Sequence, residues 1–286
     1  MPVSRRTKKI TLIVTGTLVV CCLSLLLWAF VIEPDRLVVN ETRIVLAGWP
    51  HALTSLKLAV ISDLHAGSPY VDEEKLRQVV SKTNEQKPDL ILIAGDFVIQ
   101  DVIGGHFVEP EMIADKLKGL RARYGVFAVL GNHDWWYDGE RVMRAFNGVG
   151  IRVLENDVAQ IQQEGRSLWV VGLADLWTRT PDIAGTLEKV SDEEPVIALT
   201  HNPDIFPNIP SRVILTIAGH THGGQVNLPL FGRRIVPSHY GERYAIGHIQ
   251  EAGHHLFITP GIGTSMIPVR FRVPPEISVL TLVGGD

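Results

Sequence analysis

The segment Leu90-Ile-Leu-Ile-Ala-Gly-Asp96 decides the fold class, because five consecutive apolar residues lead directly into a glycine and a carboxylate. A short, uninterrupted apolar run is typical of a parallel strand that is covered on both faces. Two further segments have the same form: the run 56–61 leads into Asp63, and the run 126–130 leads into a Gly-Asn pair. This repetition predicts neighbouring strands in one sheet.

Helical spacing fills the gaps between these strands. Residues 72–86 place Leu76 and Val79 on one face, and the pattern ends before Pro88. A second helical stretch covers residues 111–120. Shorter predicted strands follow at 152–154, 159–162, 168–172, 196–200, 213–217 and 277–283. The alternation of strands and helices predicts an α/β domain with a mostly parallel sheet.

Polar residues with metal-binding side chains recur just past the carboxyl ends of the predicted strands, the edge where ligands bind in open α/β sheets. They are Asp63, His65, Asp96, Asn132, His133, His201, His220 and His222. One such residue alone has an ordinary structural explanation, since an aspartate after a strand often caps a turn. The whole set, which holds five of the chain's 11 histidines, predicts a metal site.

The residue types indicate which chemistry the site suits. Carboxylates and imidazoles bind divalent transition metals, and the two oxygens of Asp96 can bridge two ions. Two ions about 3.5–4 Å apart activate water and neutralise charge on a phosphoryl oxygen during an in-line displacement. The two cysteines of the chain, Cys21 and Cys22, lie far from these strand ends in the sequence, which argues against a structural zinc site.

The order of the motifs resembles the calcineurin-like metallophosphoesterase superfamily over residues 55–285. The matching blocks are Asp63-Leu-His65, Gly95-Asp96, Gly131-Asn132-His133-Asp134, Thr200-His201 and Gly219-His220-Thr-His222-Gly-Gly. The apolar segment ahead of the domain and the block His201-Asn-Pro-Asp204 resemble the bacterial membrane-associated phosphodiesterase branch. That branch is linked to hydrolysis of the pyrophosphate of UDP-2,3-diacylglucosamine, a step in lipid A biosynthesis.

The resemblance implies a four-layer α/β/β/α sandwich and a hydrolase that cuts phosphate esters with a metal-activated hydroxide. It implies two divalent ions, of manganese, iron or zinc. The ligands of one ion would be Asp63, His65, Asp96 and His222, and those of the other Asp96, Asn132, His201 and His220. It also implies that His133 is catalytic, contacting the phosphate and protonating the leaving oxygen, and that Asp134 orients His133. The residues alone do not separate His133 from the ligands.

The segment 10–32 contains 23 residues without a charge or a proline. As a helix it is about 35 Å long, enough to cross a hydrocarbon core of about 30 Å. A cleaved signal peptide is the main alternative, but its apolar region is shorter, about 7–15 residues, and ends in small residues. This segment ends in Trp28-Ala-Phe-Val-Ile32, which favours an uncleaved anchor. We expect a basic flank at 1–9, a transmembrane anchor at 10–32, a juxtamembrane segment at 33–50 and one metallophosphoesterase domain at 51–286.

The net charge of −4 averages two unlike regions. Four cations precede residue 10, whereas the remaining 277 residues contain 23 basic and 31 acidic side chains, a net charge of −8. The cations are Arg5, Arg6, Lys8 and Lys9. The positive-inside rule then predicts a cytoplasmic N-terminus and a catalytic domain outside the cytoplasmic membrane. This orientation conflicts with the lipid A precursor as the substrate, because nucleotide-linked glycolipid precursors are made on the cytoplasmic face.

Two alternative functions remain open. A nuclease would use the same site, but polymeric nucleic acid requires a basic track and the region after residue 9 is acidic, so we expect no nucleic-acid partner. A non-catalytic, metal-binding membrane scaffold would keep the fold without turnover. The expected partners are a phosphate ester, whether small, nucleotide-linked or lipid-linked, and membrane lipid around residues 10–32.

Several nearby residues have both a structural and a functional interpretation. Trp135 and Trp136 either pack in the fold or contact an acyl chain or the membrane interface, and packing is expected. Asp175 follows a strand, but the resemblance gives it no metal role. His254 and His255 are adjacent and so face opposite sides of a strand. Four arginines either grip a diphosphate or lie in a solvated loop: Arg233, Arg234, Arg270 and Arg272.

Overall fold

The computed structural model describes residues 5–50, 53, 55–163, 166–191 and 193–285. Residues 1–4 of the predicted basic flank lie outside the described residues, as do 51, 52 and 54 at the start of the predicted catalytic domain.

An N-terminal helix runs without a break from Arg5 to Asp35. Its first part is α1 (Arg5–Leu27), a π-helical turn follows at Trp28–Ile32, and α2 (Glu33–Asp35) completes it. The helix is long and apolar enough to cross a membrane, by length and composition. No residue of α1 is buried, so the folded domain leaves its apolar surface uncovered.

The strands of the described residues form two six-stranded sheets. In chain order they are β1 (Val38–Ala47), β2 (Leu56–Ile61), β3 (Leu90–Ala94), β4 (Val126–Val129), β5 (Arg152–Val153), β6 (Asp157–Gln163), β7 (Arg166–Gly172), β8 (Val196–Leu199), β9 (Leu215–Ala218), β10 (Gly247–Glu251), β11 (His254–Ile258) and β12 (Glu276–Gly285). The first sheet has the order β1-β12-β2-β3-β4-β5, and the second has the order β10-β11-β9-β8-β7-β6.

Parallel pairing brings the chemically important strand ends to one place. Strands β2, β3, β4 and β5 are parallel neighbours in the first sheet, and β7, β8, β9 and β11 are parallel neighbours in the second. The carboxyl ends of parallel strands lie at one edge of each sheet. These two edges meet, because the main-chain N–H of His220, after β9, donates to Oδ2 of Asp63, after β2, at 3.0 Å.

Helices cover the outer face of the first sheet. The helices after α2 are α3 (Glu73–Glu85), α4 (Pro110–Leu117), α5 (Asn132–Tyr137), α6 (Gly139–Asn147) and α7 (Ile183–Leu187). Helix α3 illustrates the local cause: the Asp72 side chain accepts from the Lys75 N–H at 2.8 Å, which caps the first turn. Leu76 and Val79, one turn apart, are buried against the sheet.

Three apolar layers hold the molecule together. Leu58, Leu92 and Ile197 belong to the core between the two sheets. A second core lies under α3, α4 and α6, and a third lies under α7 and the 3-10 turn Pro203–Asn208. The order of layers is therefore helix, sheet, sheet and helix, which confirms the predicted α/β/β/α sandwich preceded by one long apolar helix.

Strand β1 differs from the sequence-based expectation. Residues 33–50 were expected to form a separate juxtamembrane segment, but β1 pairs with β12 in parallel along its whole length, from Val38–Glu276 to Ala47–Gly285. Ile44 and Leu46 of β1 are fully buried in the core between the sheets. The folded domain therefore begins only a few residues after the long helix ends at Asp35.

Candidate metal centre

Five segments, each directly after a parallel strand, build the site; four are loops and the one after β4 is the start of α5. They follow β2, β3, β4, β8 and β9 and carry all eight of the residues predicted from the sequence. The backbone is left-handed, with φ between 45° and 69°, at five of them: Asp63, His65, Asp96, His220 and His222. This conformation costs a non-glycine residue on the order of 1–3 kcal/mol and persists only where the surroundings enforce it.

Glycine allows the backbone of these loops to approach the side chains closely. A Cβ atom at Gly131 would lie 2.2 Å from Oδ1 of Asp96, and one at Gly219 would lie 2.7 Å from Oδ2 of Asp63. Both contacts are too short for any other residue. The carboxylates therefore sit against bare main chain.

The first group of donor atoms contains Asp63, His65 and His222, whose nearest ligand atoms lie within 4.8 Å of one another. Oδ1 of Asp63 lies 3.4 Å from Nε2 of His222 and 3.9 Å from Nε2 of His65. This oxygen is buried and has no hydrogen-bond partner among the described residues. A buried carboxylate oxygen facing two imidazole nitrogens is a site that suits a cation.

The second group contains Asp96, His201 and His220, also within 4.8 Å. Nε2 of His201 lies 3.2 Å from Oδ2 of Asp96, and Nδ1 of His220 lies 3.1 Å from the same His201 nitrogen. Oδ1 of Asn132 is 3.1 Å from that nitrogen as well. Oδ2 of Asp96 is also 3.2 Å from Nε2 of His65, so Asp96 joins the two groups.

The environment of His201 shows that the second group needs positive charge. Nδ1 of His201 lies 2.6 Å from the main-chain oxygen of Ala94, which can only accept, so Nδ1 carries a proton. In the neutral ring Nε2 then has no proton and carries a lone pair, yet it faces the acceptor oxygens of Asp96 and Asn132. Only a second proton on Nε2 or a metal ion between these acceptor atoms makes the contact favourable.

The pKa shifts of Asp96 and His201 agree with the need for positive charge at the second group. Burial alone would raise the pKa of Asp96, but His201 and His65 outweigh burial and hold that pKa well below its ordinary value. Burial lowers the pKa of His201, but the Asp96 carboxylate outweighs it and raises the pKa well above the ordinary value. The donor set of carboxylate, imidazole and amide oxygen therefore fits divalent transition metals.

His133 lies at the border of the cluster. Its ring centroid is 4.8 Å from that of His65, and its ligand nitrogen is close to those of His65 and Asp96. The ring is half-buried, unlike the fully enclosed rings of His65 and His201. Burial is the main cause that lowers its pKa to about 4, so the imidazole is neutral at pH 7. Distance alone leaves His133 grouped with the ligands, as the sequence did.

The side chain of Asp134 contacts main-chain donors from two loops. Its Oδ2 accepts from the main-chain N–H groups of Asp96 and Gly131, both at 2.9 Å. Its Oδ1 accepts from those of Phe97 and Val98. These four hydrogen bonds run to the backbone and none to the His133 ring, so no direct hydrogen bond supports the expected orienting role of Asp134. The buried carboxylate instead fixes the loop after β3 against the loop after β4.

Two exposed tryptophans border the centre, and one of them was missed from the sequence. Trp136 is 56% exposed and its ring lies 4.8 Å from that of His133, so it does not pack in the interior as expected. Trp177 is 46% exposed and its ring lies 4.3 Å from that of His220, edge to face. Nothing in the pattern around Trp177 distinguishes it from a surface aromatic residue, because a turn places it.

Asp175 builds that turn, in agreement with the structural role expected for it. Its Oδ2 accepts from the main-chain N–H of Trp177 at 3.1 Å and from the N–H and hydroxyl of Thr178. Burial is the main cause that raises its pKa. Among the described residues Asp175 belongs to no group of candidate metal ligands.

The remaining ambiguous residues divide between the interior and the surface. Arg270 is fully buried and donates to the main-chain oxygens of Pro260, Gly263 and Val273, so it neither grips a phosphate nor lies in a solvated loop. His255 is buried on β11 and contacts His248 on β10 at 2.9 Å, away from the candidate ligand groups. Three of the four arginines remain at the surface: Arg233, Arg234 and Arg272.

Comparison with known proteins places this arrangement in a family. A family model described as calcineurin-like phosphoesterase matches residues 56–224, which contain all eight polar residues of the site. A Bacillus subtilis protein named "Uncharacterized metallophosphoesterase YkuE" is 33% identical over 258 residues, covering 89% of this chain and 88% of that protein.

Two further relatives resemble the chain along most of its length. The protein named "Phosphodiesterase YaeI" of Escherichia coli is 32% identical, covering 79% of this chain and 82% of that protein. A Danio rerio protein named "Transmembrane protein with metallophosphoesterase domain" is 28% identical, covering 87% of this chain and 58% of that protein.

Proposed function

We propose that this chain, which belongs to the calcineurin-like phosphoesterase family, is a membrane-anchored hydrolase that cuts phosphoester bonds with two divalent metal ions. One observation carries the proposal: the Asp96 carboxylate lies between two buried groups of candidate metal ligands. The ligand atoms that face one another there are all hydrogen-bond acceptors, so the site requires positive charge. A protonated His201 paired with Asp96 would satisfy the second group alone, but it would leave the buried Oδ1 of Asp63 in the first group without a partner.

Two ligand sets share the Asp96 carboxylate in this proposal. One ion is held by Asp63, His65, Asp96 and His222, and the other by Asp96, Asn132, His201 and His220. The 3.2 Å separations of Oδ2 of Asp96 from His65 and from His201 support the shared position. Manganese, iron and zinc all suit this set of nitrogen and oxygen donors.

The chain's own residues bind and orient the substrate and move one proton. When bound, two such ions supply Lewis-acid neutralisation of phosphoryl charge and lower the pKa of a water that attacks phosphorus. His133, half-exposed beside the cluster, donates an N–H to a phosphoryl oxygen. Its imidazole, neutral in the free chain, takes up a proton beside the negatively charged phosphate and passes that proton to the leaving oxygen. Asp134 is a positioning residue that fixes the loops carrying Asp96 and His133.

The long helix anchors the enzyme in the cytoplasmic membrane. Its uncovered apolar surface supports a single span, and the basic residues at its N-terminal end support an orientation with the catalytic domain outside the cytoplasm. We propose small, nucleotide-linked or lipid-linked phosphate esters as the substrate class. The pyrophosphate of UDP-2,3-diacylglucosamine is a narrower proposal, which requires the opposite orientation of the domain.

Substitution of two site residues tests the proposal. Using purified full-length chain, bis(p-nitrophenyl) phosphate hydrolysis and bound metal are measured for His133→Ala, Asp96→Ala and the control His239→Ala. His239 is exposed and lies outside the candidate ligand groups. We expect His133→Ala to keep its metal but lose about 10²–10⁴-fold in kcat, the usual contribution of general acid catalysis. Asp96→Ala is expected to lose both metal and turnover.

Three results would contradict the proposal in different ways. Near-normal turnover by Asp96→Ala would show that the cluster is not the catalytic site. Metal binding without turnover of any phosphoester would favour a scaffold. A tight, salt-sensitive complex with DNA would favour the nuclease, since release of counterions makes such binding depend steeply on salt.

A further inference from the structure

Three loops next to the metal centre expose large apolar side chains to solvent. Six residues make up this surface, which we call the collar: Ile103, Leu230, Phe231, Ile235, Met266 and Ile267. Leu230 is fully exposed, at 101% of its reference area, and Ile235 is 82% exposed. Single exposed apolar residues are ordinary, but a contiguous group on one face marks an interaction surface.

Hydrogen bonds join the three loops into one surface. The main-chain N–H of Ile103 donates to the oxygen of Met266 at 3.1 Å, which links the first loop to the third. The side chain of Gln225 donates to the oxygen of Ile267 and accepts from the N–H of Ser265, which links the second loop to the third. The six apolar side chains therefore lie on three loops that are hydrogen-bonded to one another.

This face adjoins the metal centre. The Arg233 side chain, between Phe231 and Ile235, donates through Nε to the oxygen of Gly223 at 2.9 Å, and Gly223 directly follows His222. A Cβ atom at Gly263 would lie 2.7 Å from Cβ of His65, so the start of the third loop presses on a candidate ligand.

The same face receives the end of the membrane helix. The N–H of Arg270, in the third loop, donates to the main-chain oxygen of Ala29 at 2.9 Å. The hydroxyl of Tyr70 donates to the oxygen of Phe30 at 2.6 Å. The collar and the last turns of the helix are therefore fixed to one another.

A buried carboxylate makes that junction rigid. Glu33 is only 2% exposed, and its two oxygens accept from the main-chain N–H of Val273 at 2.7 Å and from Nε1 of Trp28 at 2.5 Å. Lys75 of α3 reaches across to Oδ1 of Asp35 at 2.7 Å. With hydrogen bonds on both sides of the junction, the helix holds the domain in one orientation instead of acting as a flexible tether.

The charges of the collar suit a membrane surface. Arg234 and Arg272 are exposed between its apolar residues, and neither has a carboxylate partner among the described residues. The Arg234 guanidinium lies 5.9 Å from the Phe231 ring. Apolar side chains interleaved with unpaired arginines match the boundary between acyl chains and anionic headgroups.

We propose that the collar is a second membrane contact, which dips into the headgroup layer of the bilayer crossed by α1 and holds the mouth of the metal centre at that surface. The inference rests on the proposed anchoring by residues 10–32. The partner of the collar in this proposal is the lipid bilayer, with anionic phospholipid around the arginines. A protein partner or a second copy of the chain is an outcome that the test separates.

Spin labels at three positions of the full-length chain test the proposal. Cys21→Ser and Cys22→Ser first remove the native thiols. Three variants then each carry one cysteine for labelling, at Leu230 in the collar, at Leu18 in α1 or at Val45 in β1. Val45 is the matched control. Val45 is also exposed and apolar, but it lies seven steps along β1 from Val38, a distance of roughly 23 Å from the end nearest the helix. The chain is placed in nanodiscs of phosphatidylcholine and phosphatidylglycerol. For each variant, the collision rate of the spin label with oxygen, which enters lipid, is compared with its collision rate with a water-soluble nickel chelate.

We expect the label at residue 230 to lie about 5–10 Å into the headgroup and acyl boundary, accessible to oxygen and protected from nickel. The label at residue 18 should be deeper still, and the label at residue 45 should be fully accessible to nickel. If 18 is in lipid while 230 behaves like 45, the collar proposal is wrong and the anchoring stands. If 18 is in water, both fail. Protection of 230 from both probes would indicate a second copy as the occupant and would also overturn the proposal.

Discussion

At the residue scale, the polar side chains of the centre differ in what their atoms face. The rings of His65 and His201 are enclosed and point at the Asp96 carboxylate, whereas His133 is half-exposed beside Trp136. Asp134 touches only main-chain donors. The centre therefore combines enclosed candidate ligands, a border histidine that can reach solvent and a carboxylate that holds the loops.

Replacement of Asp134 tests its positioning role. In Asp134→Ala four buried N–H groups lose their acceptor, and each such group costs about 1–3 kcal/mol, so we expect the free energy of unfolding to fall by about 4 kcal/mol or more. Metal affinity should fall as well, because the loop after β3 carries Asp96.

Urea unfolding and metal titration measure the two effects of Asp134→Ala. The matched control is Asp138→Ala, which removes the cap of α6 on the same segment and should cost about 1 kcal/mol without loss of metal affinity. Unchanged metal affinity in the Asp134 variant would contradict a positioning role.

Much of the centre could be predicted at this scale, for a physical reason. Asp63, Asp96 and His201 each lie two residues past the end of an apolar strand, and parallel strands carry such residues to one edge. The contacts of Asp134 and Arg270 could not be predicted, because each satisfies main-chain groups from several loops whose paths depend on the folded structure.

At the element scale, short connections between strands set the stability of the centre. Glu155, between β5 and β6, accepts from the main-chain N–H of Leu130 at the end of β4 at 2.9 Å. Burial is the main cause that raises its pKa to about 8. Above its ordinary pKa of 4.5 the carboxyl ionises in the unfolded chain while the folded chain keeps its proton. Ionisation therefore favours unfolding, and stability is lost as the pH rises between 4.5 and about 8.

The variant Glu155→Gln removes this ionisation and keeps an acceptor for Leu130. We expect its Tm to be close to that of the native chain at pH 5 and higher at pH 8.5, measured by calorimetry at both values. Glu140→Gln is the control and should show little change at either pH, because Glu140 is an exposed carboxyl that lines the same surface cavity as Glu155. Equal Tm differences at pH 5 and 8.5 for Glu155→Gln would contradict the raised pKa.

Helices and strands with a clear apolar periodicity in the sequence were predicted well. A strand held mainly by pairing with a distant strand was not. The helix expected at 72–86 is α3, and the apolar runs around residues 90 and 126 are β3 and β4. Strand β1 was missed because half of Val38–Ala47 is exposed and its polar residues resemble a linker. Its partner β12 lies more than 200 residues away, and such a pairing leaves no local signal.

At the scale of the whole molecule, a basic flank, an apolar helix and an acidic domain follow one another. The four cations before residue 10 predict that the domain lies outside the cytoplasm. A C-terminal alkaline phosphatase fusion should therefore be active and a C-terminal green fluorescent protein fusion dark. The same fusions to a chain with the four cations replaced by glutamine should show a mixed orientation. An inactive phosphatase and a bright fluorescent fusion of the native chain would reverse the topology and would favour the lipid A precursor as substrate.

The central claim is that the cluster around Asp96 is a dinuclear metal centre that hydrolyses phosphoesters. The most direct measurement is the metal content of the full-length chain, determined together with bis(p-nitrophenyl) phosphate turnover before chelation, after chelation and after addition of manganese, iron or zinc. The account predicts two ions per chain when activity is full, loss of turnover when the ions are removed, and recovery in proportion to the second ion bound. Full turnover by the metal-free chain, or saturation of activity with a single ion, would contradict it.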